Sequence, residues 1–285
     1  MDKTGFIREP AVSGTFYPDE PVRLRRQIEG YLEDATVPAI DVEVLGLVSP
    51  HAGYVYSGPV AAYGFKMIAG RQYDTAVIIA PSHRVYFEGV ALWDRGGFRT
   101  SLGTVDIDEE AAKEVLRPGG IIQANMRPHQ EEHSLEVQLP FLQSVLGDFR
   151  LIPLIMGNQD ASTCANLAQS LFVVMQKSKK KFLIVGSTDL SHYYPYAQAK
   201  KLDTIIVSRL DAFDIMGMIE DISGNRAEAC GAGPMVTTMM LCEKLGADRG
   251  MSLKYANSGD TSGDKSGVVG YVSAVFYREG QEEVA

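Results

Sequence analysis

Val44-Leu45-Gly46-Leu47-Val48-Ser49-Pro50-His51 is an apolar run that stops at a proline and is followed at once by an imidazole. Too short for a helix and bounded by a breaker, it predicts a buried strand over residues 44–49. The turn after it contains a glycine, and the spacing beyond predicts a helix over residues 59–69, capped by Ser57 and stopped by Gly70. The same grammar returns at residues 75–80, which end at Pro81-Ser82-His83, and at residues 181–186, which lead into Ser187-Thr188-Asp189-Leu190-Ser191-His192. Strands alternating with helices predict an α/β fold, a single domain over residues 1–285 with a central mixed sheet flanked by helices.

Outward from this stretch, Asp19 and Pro21 predict the cap and first turn of a helix burying Leu24, Ile28, Tyr31 and Leu32. Residues 87–93 and 98–105 predict an antiparallel excursion turned by Arg95-Gly96-Gly97. Residues 135–146 predict a helix despite Pro140, 150–155 a strand, 234–245 a helix, and 252–257 and 268–277 two closing strands.

Composition narrows the class. Hydrophobic residues are 45% of the chain and charged residues 22%, enough to bury a large core and keep a polar surface. A net charge of -9 argues against a nucleic-acid surface, which needs clustered Lys and Arg. The one basic cluster, KSKKK at residues 177–181, reads as a solvated helix end. No apolar run approaches the roughly 20 residues of a membrane span, and the opening MDKTGFIREP has no signal-peptide core. Cys164, Cys230 and Cys242 form an odd set without a C-x-x-C pair, which fits a reducing compartment, so a cytoplasmic location is expected.

The chemistry collects at strand ends. His51, His83 and His192, three of the five histidines, each follow an apolar strand, where open α/β sheets bind ligands. Neutral imidazole is a ligand for zinc, iron and copper, and two at fixed strand ends could hold one metal ion with little reorganisation. Cys230, in Cys230-Gly231-Ala232-Gly233-Pro234 beside a helix start, is the candidate third ligand, since the helix dipole favours thiolate there. Cys164 and Cys242 read as core.

Two rival motifs carry less weight. His129-Gln130-Glu131-Glu132-His133 matches the inverted zinc-protease pattern, but Arg127-Pro128 just before it favours a loop or a helix start in which the acidic pair meets the dipole. The segment 259–266 looks like a phosphate loop, but it joins two strands and Asp264 stands where glycine should meet lysine.

Taken together, these residues resemble the Memo family, whose prokaryotic members are known as protein B of the AmmeMemoRadiSam system. The resemblance runs through Arg8-Glu9, Ser13-Gly14-Thr15-Phe16-Tyr17-Pro18, Ser49-Pro50-His51-Ala52-Gly53-Tyr54, Pro81-Ser82-His83, Glu132-His133-Ser134-Leu135-Glu136, Ser187-Thr188-Asp189-Leu190-Ser191-His192, Cys230-Gly231 and Tyr255-Ala256-Asn257-Ser258. It implies a fold similar to the class III extradiol dioxygenases, with metal ligands at His51, His83 and Cys230. It also implies an acid/base role for His192, an orienting role for Asp189, and a pocket to which Phe16, Tyr54 and His133 contribute. His129 matches no family position.

Where the dioxygenases use a carboxylate, this chain has Cys230, and a thiolate shifts preference toward softer metals. One iron or copper ion, with zinc as an alternative, is therefore the expected cofactor, and a small molecule the expected substrate of a non-haem oxidoreductase. The resemblance also implies association with a radical S-adenosylmethionine protein and the companion AmmeMemoRadiSam protein. A second reading stays open. Eukaryotic members are described as phosphotyrosine-peptide binders with a tryptophan where this chain has Phe16, which would make the same pocket a binding module without turnover.

Overall fold

The computed structural model describes residues 6–117 and 119–279; residues 1–5, part of the opening read for a leader, lie outside them. Its strands are β1 (Ile7–Arg8), β2 (Val42–Ser49), β3 (Thr75–Pro81), β4 (Val90–Leu92), β5 (Gly97–Thr100), β6 (Gly103–Asp106), β7 (Ile122–Ala124), β8 (Arg150–Met156), β9 (Phe182–Ser187), β10 (His192–Tyr194), β11 (Arg249–Asn257) and β12 (Val268–Glu279). The main sheet has the order β10-β12-β2-β9-β3-β8-β4-β7, with β11 also paired to β12, and a small sheet has the order β1-β5-β6. Strands β2, β9, β3 and β8 run parallel, whereas β12 joins β2 and β4 joins β8 antiparallel. The fold is α/β with a mixed sheet.

The helices are α1 (Pro21–Asp34), α2 (Tyr54–Ile68), α3 (Glu109–Val115), α4 (His133–Glu136), α5 (Leu139–Val145), α6 (Ala161–Met175), α7 (Tyr196–Asp211), α8 (Ile215–Ser223) and α9 (Ala232–Lys244), followed by a short helix at Ser258–Ser262. Gly46 and Leu47 show how two of them clamp the sheet. Successive strand residues face opposite sides. A methyl added to Gly46 would fall 2.5 Å from Cys242 Sγ on α9, whereas Leu47 packs under Gly64 of α2. Strand β2 is thus buried on both faces, which is why its sequence is continuously apolar rather than alternating.

Some local expectations give way. Helix α1 is capped by Glu20, not Asp19; the Glu20 carboxylate accepts from the Val22 and Arg23 amides. Helix α2 begins at Tyr54, five residues before Pro59, because the Tyr54 amide is anchored on Phe16 O and Ser57 turns its hydroxyl back to Ala52 O. The carbonyl that Pro59 leaves unbonded belongs to the exposed Val55. Residues 90–92 do not pair with their sequel. β4 joins the edge of β8, and β5 instead forms a hairpin with β6, because Gly96 (φ +76°) redirects the chain where Phe6 O approaches too closely for any side chain. Residues 135–146 fold as α4 and α5, with Pro140 in the first turn of α5.

The inverted-protease motif is also broken. His129 ends a 3-10 turn (Arg127–His129) and His133 starts α4, so the two rings share no helix face. His129 is buried, its Nε2–H donates to Ala91 O at 3.2 Å, and its ring meets Trp93 and Phe98 edge-on. Burial pushes its pKa down from 6.5 to about 3. The unfolded chain therefore takes up a proton at this ring as pH falls below 6.5, while the folded chain resists until about pH 3. The stability this neutral ring contributes is present above pH 6.5 and is lost through that window at about 1.4 kcal/mol per pH unit. Urea unfolding of His129→Phe against the parent, at steps across the window, should show a slope smaller by about one proton.

Candidate metal centre

Because β2, β9 and β3 are parallel neighbours with Ser49 level with Ser187 and Ile79 level with Gly186, their carboxyl ends lie side by side. The segments beyond them carry His51, Asp189 and His83. A fourth segment is pinned across the top: the Ser134 hydroxyl of α4 donates to Pro81 O, and the Ser187 hydroxyl donates to Ser134 O at 2.6 Å. This brings His133 over the strand ends. One ligand nitrogen each from His51, His83 and His133 lies within 4.8 Å of the other two. Among the described residues this is the group that could hold a metal ion.

The hydrogen bonds set the tautomers. Ser187 spends its single proton on Ser134 O, so it must accept from His51 Nδ1–H, 2.9 Å away; it also accepts from Gln138 Nε2. That leaves the His51 Nε2 lone pair free. Glu132 Oε1 lies 3.0 Å from His83 Nδ1 and 3.2 Å from His133 Nδ1. Burial raises the pKa of Glu132, but donors from His83 and the Ser134 amide outweigh it and hold the group at about 2, an anion that only accepts. Burial, and then the neighbouring rings of His83, His133 and His192, hold His51 well below 6.5. Burial lowers His133 too, against the opposing charge of Glu132. Neutral imidazoles crowded with free lone pairs repel one another unless a cation lies between them, so the donor set fits a metal.

Cys230 stands beside this group, with Sγ 3.1 Å from His51 Nε2, although it is not part of the mutual set. It is tied to Asp189 in both directions: the Cys230 amide donates to Asp189 O, and the Asp189 amide donates to Cys230 Sγ at 3.3 Å. Burial, and then the Asp189 charge, hold the thiol well above its ordinary pKa. The helix-start argument for a thiolate is thus outweighed by desolvation unless a cation is bound. The Asp189 carboxylate accepts from the His51 amide at 2.7 Å; burial, only partly offset by that bond, raises its pKa to about 7. Asp189 braces the backbone of one candidate ligand and the sulfur of another.

The other expected residues are arranged around this centre. His192 lies outside the mutual set, its amide held by Glu228 where Tyr193 (φ 64°) kinks β10. The Phe16 ring sits 4.9 Å from His133. Tyr54 is buried, and its hydroxyl donates to Val137 O at 2.7 Å, so it braces α4 from below. Cys164 and Cys242 are core, as expected. Sequence reasoning underweighted His133 and missed Glu132; the signal was present in the order Glu-His-Ser, but the distraction of His129 hid it.

The Memo-like protein family matches residues 8–275. The chain belongs to the Memo family. Its relatives include MEMO1 family proteins of Methanopyrus kandleri, 40% identical over 280 residues (95% of this chain, 99% of the relative), and of Methanothermobacter thermautotrophicus, 40% identical over 272 residues (93% and 98%). One of Sulfolobus acidocaldarius is 37% identical over 282 residues (95% and 99%). The strand-end histidines and Cys230 of this Memo-family chain therefore lie inside the matched region. No helix among the described residues is long and apolar enough to cross a membrane.

Proposed function

We propose that this Memo-family protein binds one iron or copper ion through His51, His83, His133 and Cys230 and uses it in redox chemistry on a small molecule. What carries the reading is the crowding of three imidazole nitrogens within 4.8 Å, from a buried His51, a half-buried His133 and a more exposed His83, with the Nδ1 atoms of these rings facing Ser187 and Glu132. Bound iron or copper would supply one-electron redox chemistry and Lewis acidity. Burial holds the Cys230 thiol protonated, so Cys230 is a donor that must give up a proton, which ties binding to pH. His192 stands outside the ligand group, and its role is to exchange a proton with the substrate.

Metal analysis of untagged protein reconstituted without oxygen tests this. About one equivalent of iron or copper is expected, and less than about 0.2 equivalents of either overturns it. Cobalt(II) as a probe should give a sulfur-to-metal charge-transfer band that Cys230→Ser removes; a band that survives takes the thiolate out of the ligand set. Oxygen or substrate consumption that needs both the metal and His192 would support the redox assignment.

A further inference from the structure

Glu132 is fully buried, and both of its carboxylate oxygens are engaged by donors from the two loops that supply His83 and His133. Oε2 accepts from the His83 amide at 2.6 Å. Oε1 accepts from the Ser134 amide at 3.1 Å and from His83 Nδ1 at 3.0 Å, and it lies 3.2 Å from His133 Nδ1. The backbone amides can only donate, so the oxygens face them as acceptors whatever the rings do. An oxygen that accepts from a backbone amide also favours N–H on each ring nitrogen turned toward it. The two rings are stacked, with centroids 4.9 Å apart, so neither can turn away without disturbing the other.

From this geometry we infer that Glu132 is a single positioning residue for two ligands at once. It fixes His83 and His133 as the Nδ1–H tautomer and directs both Nε2 lone pairs into the centre. The inference rests on the metal-centre reading for its consequence, but not for its first observable. A carboxylate behind a ligating histidine fixes ring orientation and raises its basicity, and losing one costs roughly 10- to 100-fold in metal affinity. Here one carboxylate serves two rings, and it also caps α4, so the loops of β3 and α4 are registered against each other through it.

Glu132→Gln retains the size of the side chain but replaces one acceptor with an NH₂ group. If the amide carbonyl keeps the His83 backbone bond, the NH₂ faces both Nδ1 atoms and drives the rings toward Nε2–H, with a proton aimed into the centre. Long-range proton–nitrogen NMR of metal-free protein reads this directly. The parent should show Nδ1–H patterns at both rings, and Glu132→Gln should convert at least one to Nε2–H. Zinc(II) titration should then show binding weakened roughly 10- to 100-fold. Glu132→Asp, which keeps both acceptor oxygens, should preserve the tautomers if it folds, as judged by the remaining amide spectrum.

The outcomes separate the two claims. Nε2–H at both rings in the parent, or unchanged tautomers in Glu132→Gln, overturns the role of Glu132 even if the parent binds zinc tightly. Nδ1–H tautomers that shift in the variant uphold it even if the parent binds no metal, in which case the metal reading fails alone.

Discussion

Arg8→Met is expected to lower the free energy of unfolding by about 3–5 kcal/mol, the cost of leaving one member of a buried ion pair alone. Arg8 and Glu136 are both fully buried, and Arg8 Nη1 donates to Glu136 Oε2. The guanidinium also donates through Nη2 to Glu132 O at 2.7 Å and through Nε to His129 O at 3.0 Å, and it lies over the Phe98 ring. Glu136 in turn accepts from the Ala11 and Val12 amides and from the Tyr17 hydroxyl at 2.6 Å. The pair therefore staples the opening segment to α4, and Met fills volume without supplying a cation. Chemical denaturation of Arg8→Met, Glu136→Leu and the double variant measures the coupling. A double variant less damaged than the sum of the singles is expected, and strict additivity would show that the pair does not act as a unit.

The second large effect concerns binding. His51→Ala should weaken zinc(II) or cobalt(II) binding by more than about 100-fold, beyond the range of losses seen for orienting residues alone. His51 is central: its ring belongs to the imidazole group, and its Nε2 lies 3.1 Å from Cys230 Sγ. His192→Ala is the matched comparison, since that ring lies outside the mutual set and its variant should keep metal affinity within about threefold, far less than the losses of orienting residues. Calorimetry on both variants decides. Equal losses would require redrawing the ligand set around His192.

The strand-end logic was legible because β2, β3 and β9 are buried on both faces and so appear as unbroken apolar runs, each closed by a loop that brings a polar side chain to the same edge. Residues 49–51, 81–83 and 187–192 therefore announced the fold, and the first two carry two of the three rings of the candidate metal group. His133 was harder to see because it follows no strand. It reaches the centre only because Ser134, Ser187 and Pro81 are joined by hydrogen bonds, a long-range contact that no local periodicity encodes. Cys230 was legible in position but not in state, since its burial depends on how tightly Gly231 packs against Ser187 O and Thr188. The start of α2 was misplaced for a similar reason: Phe16, almost forty positions away, supplies the carbonyl that anchors its first turn.

The place of β12 between β10 and β2 governs how the imidazole cage forms. The strand that presents His51 has one neighbour made of residues 182–187 and another made of residues 268–279, so both of its edges are covered by segments far along the chain from it. Both pairings are non-local, and such long-range strand pairing is intrinsically slow to form, so the cage depends on the least local contacts of the sheet.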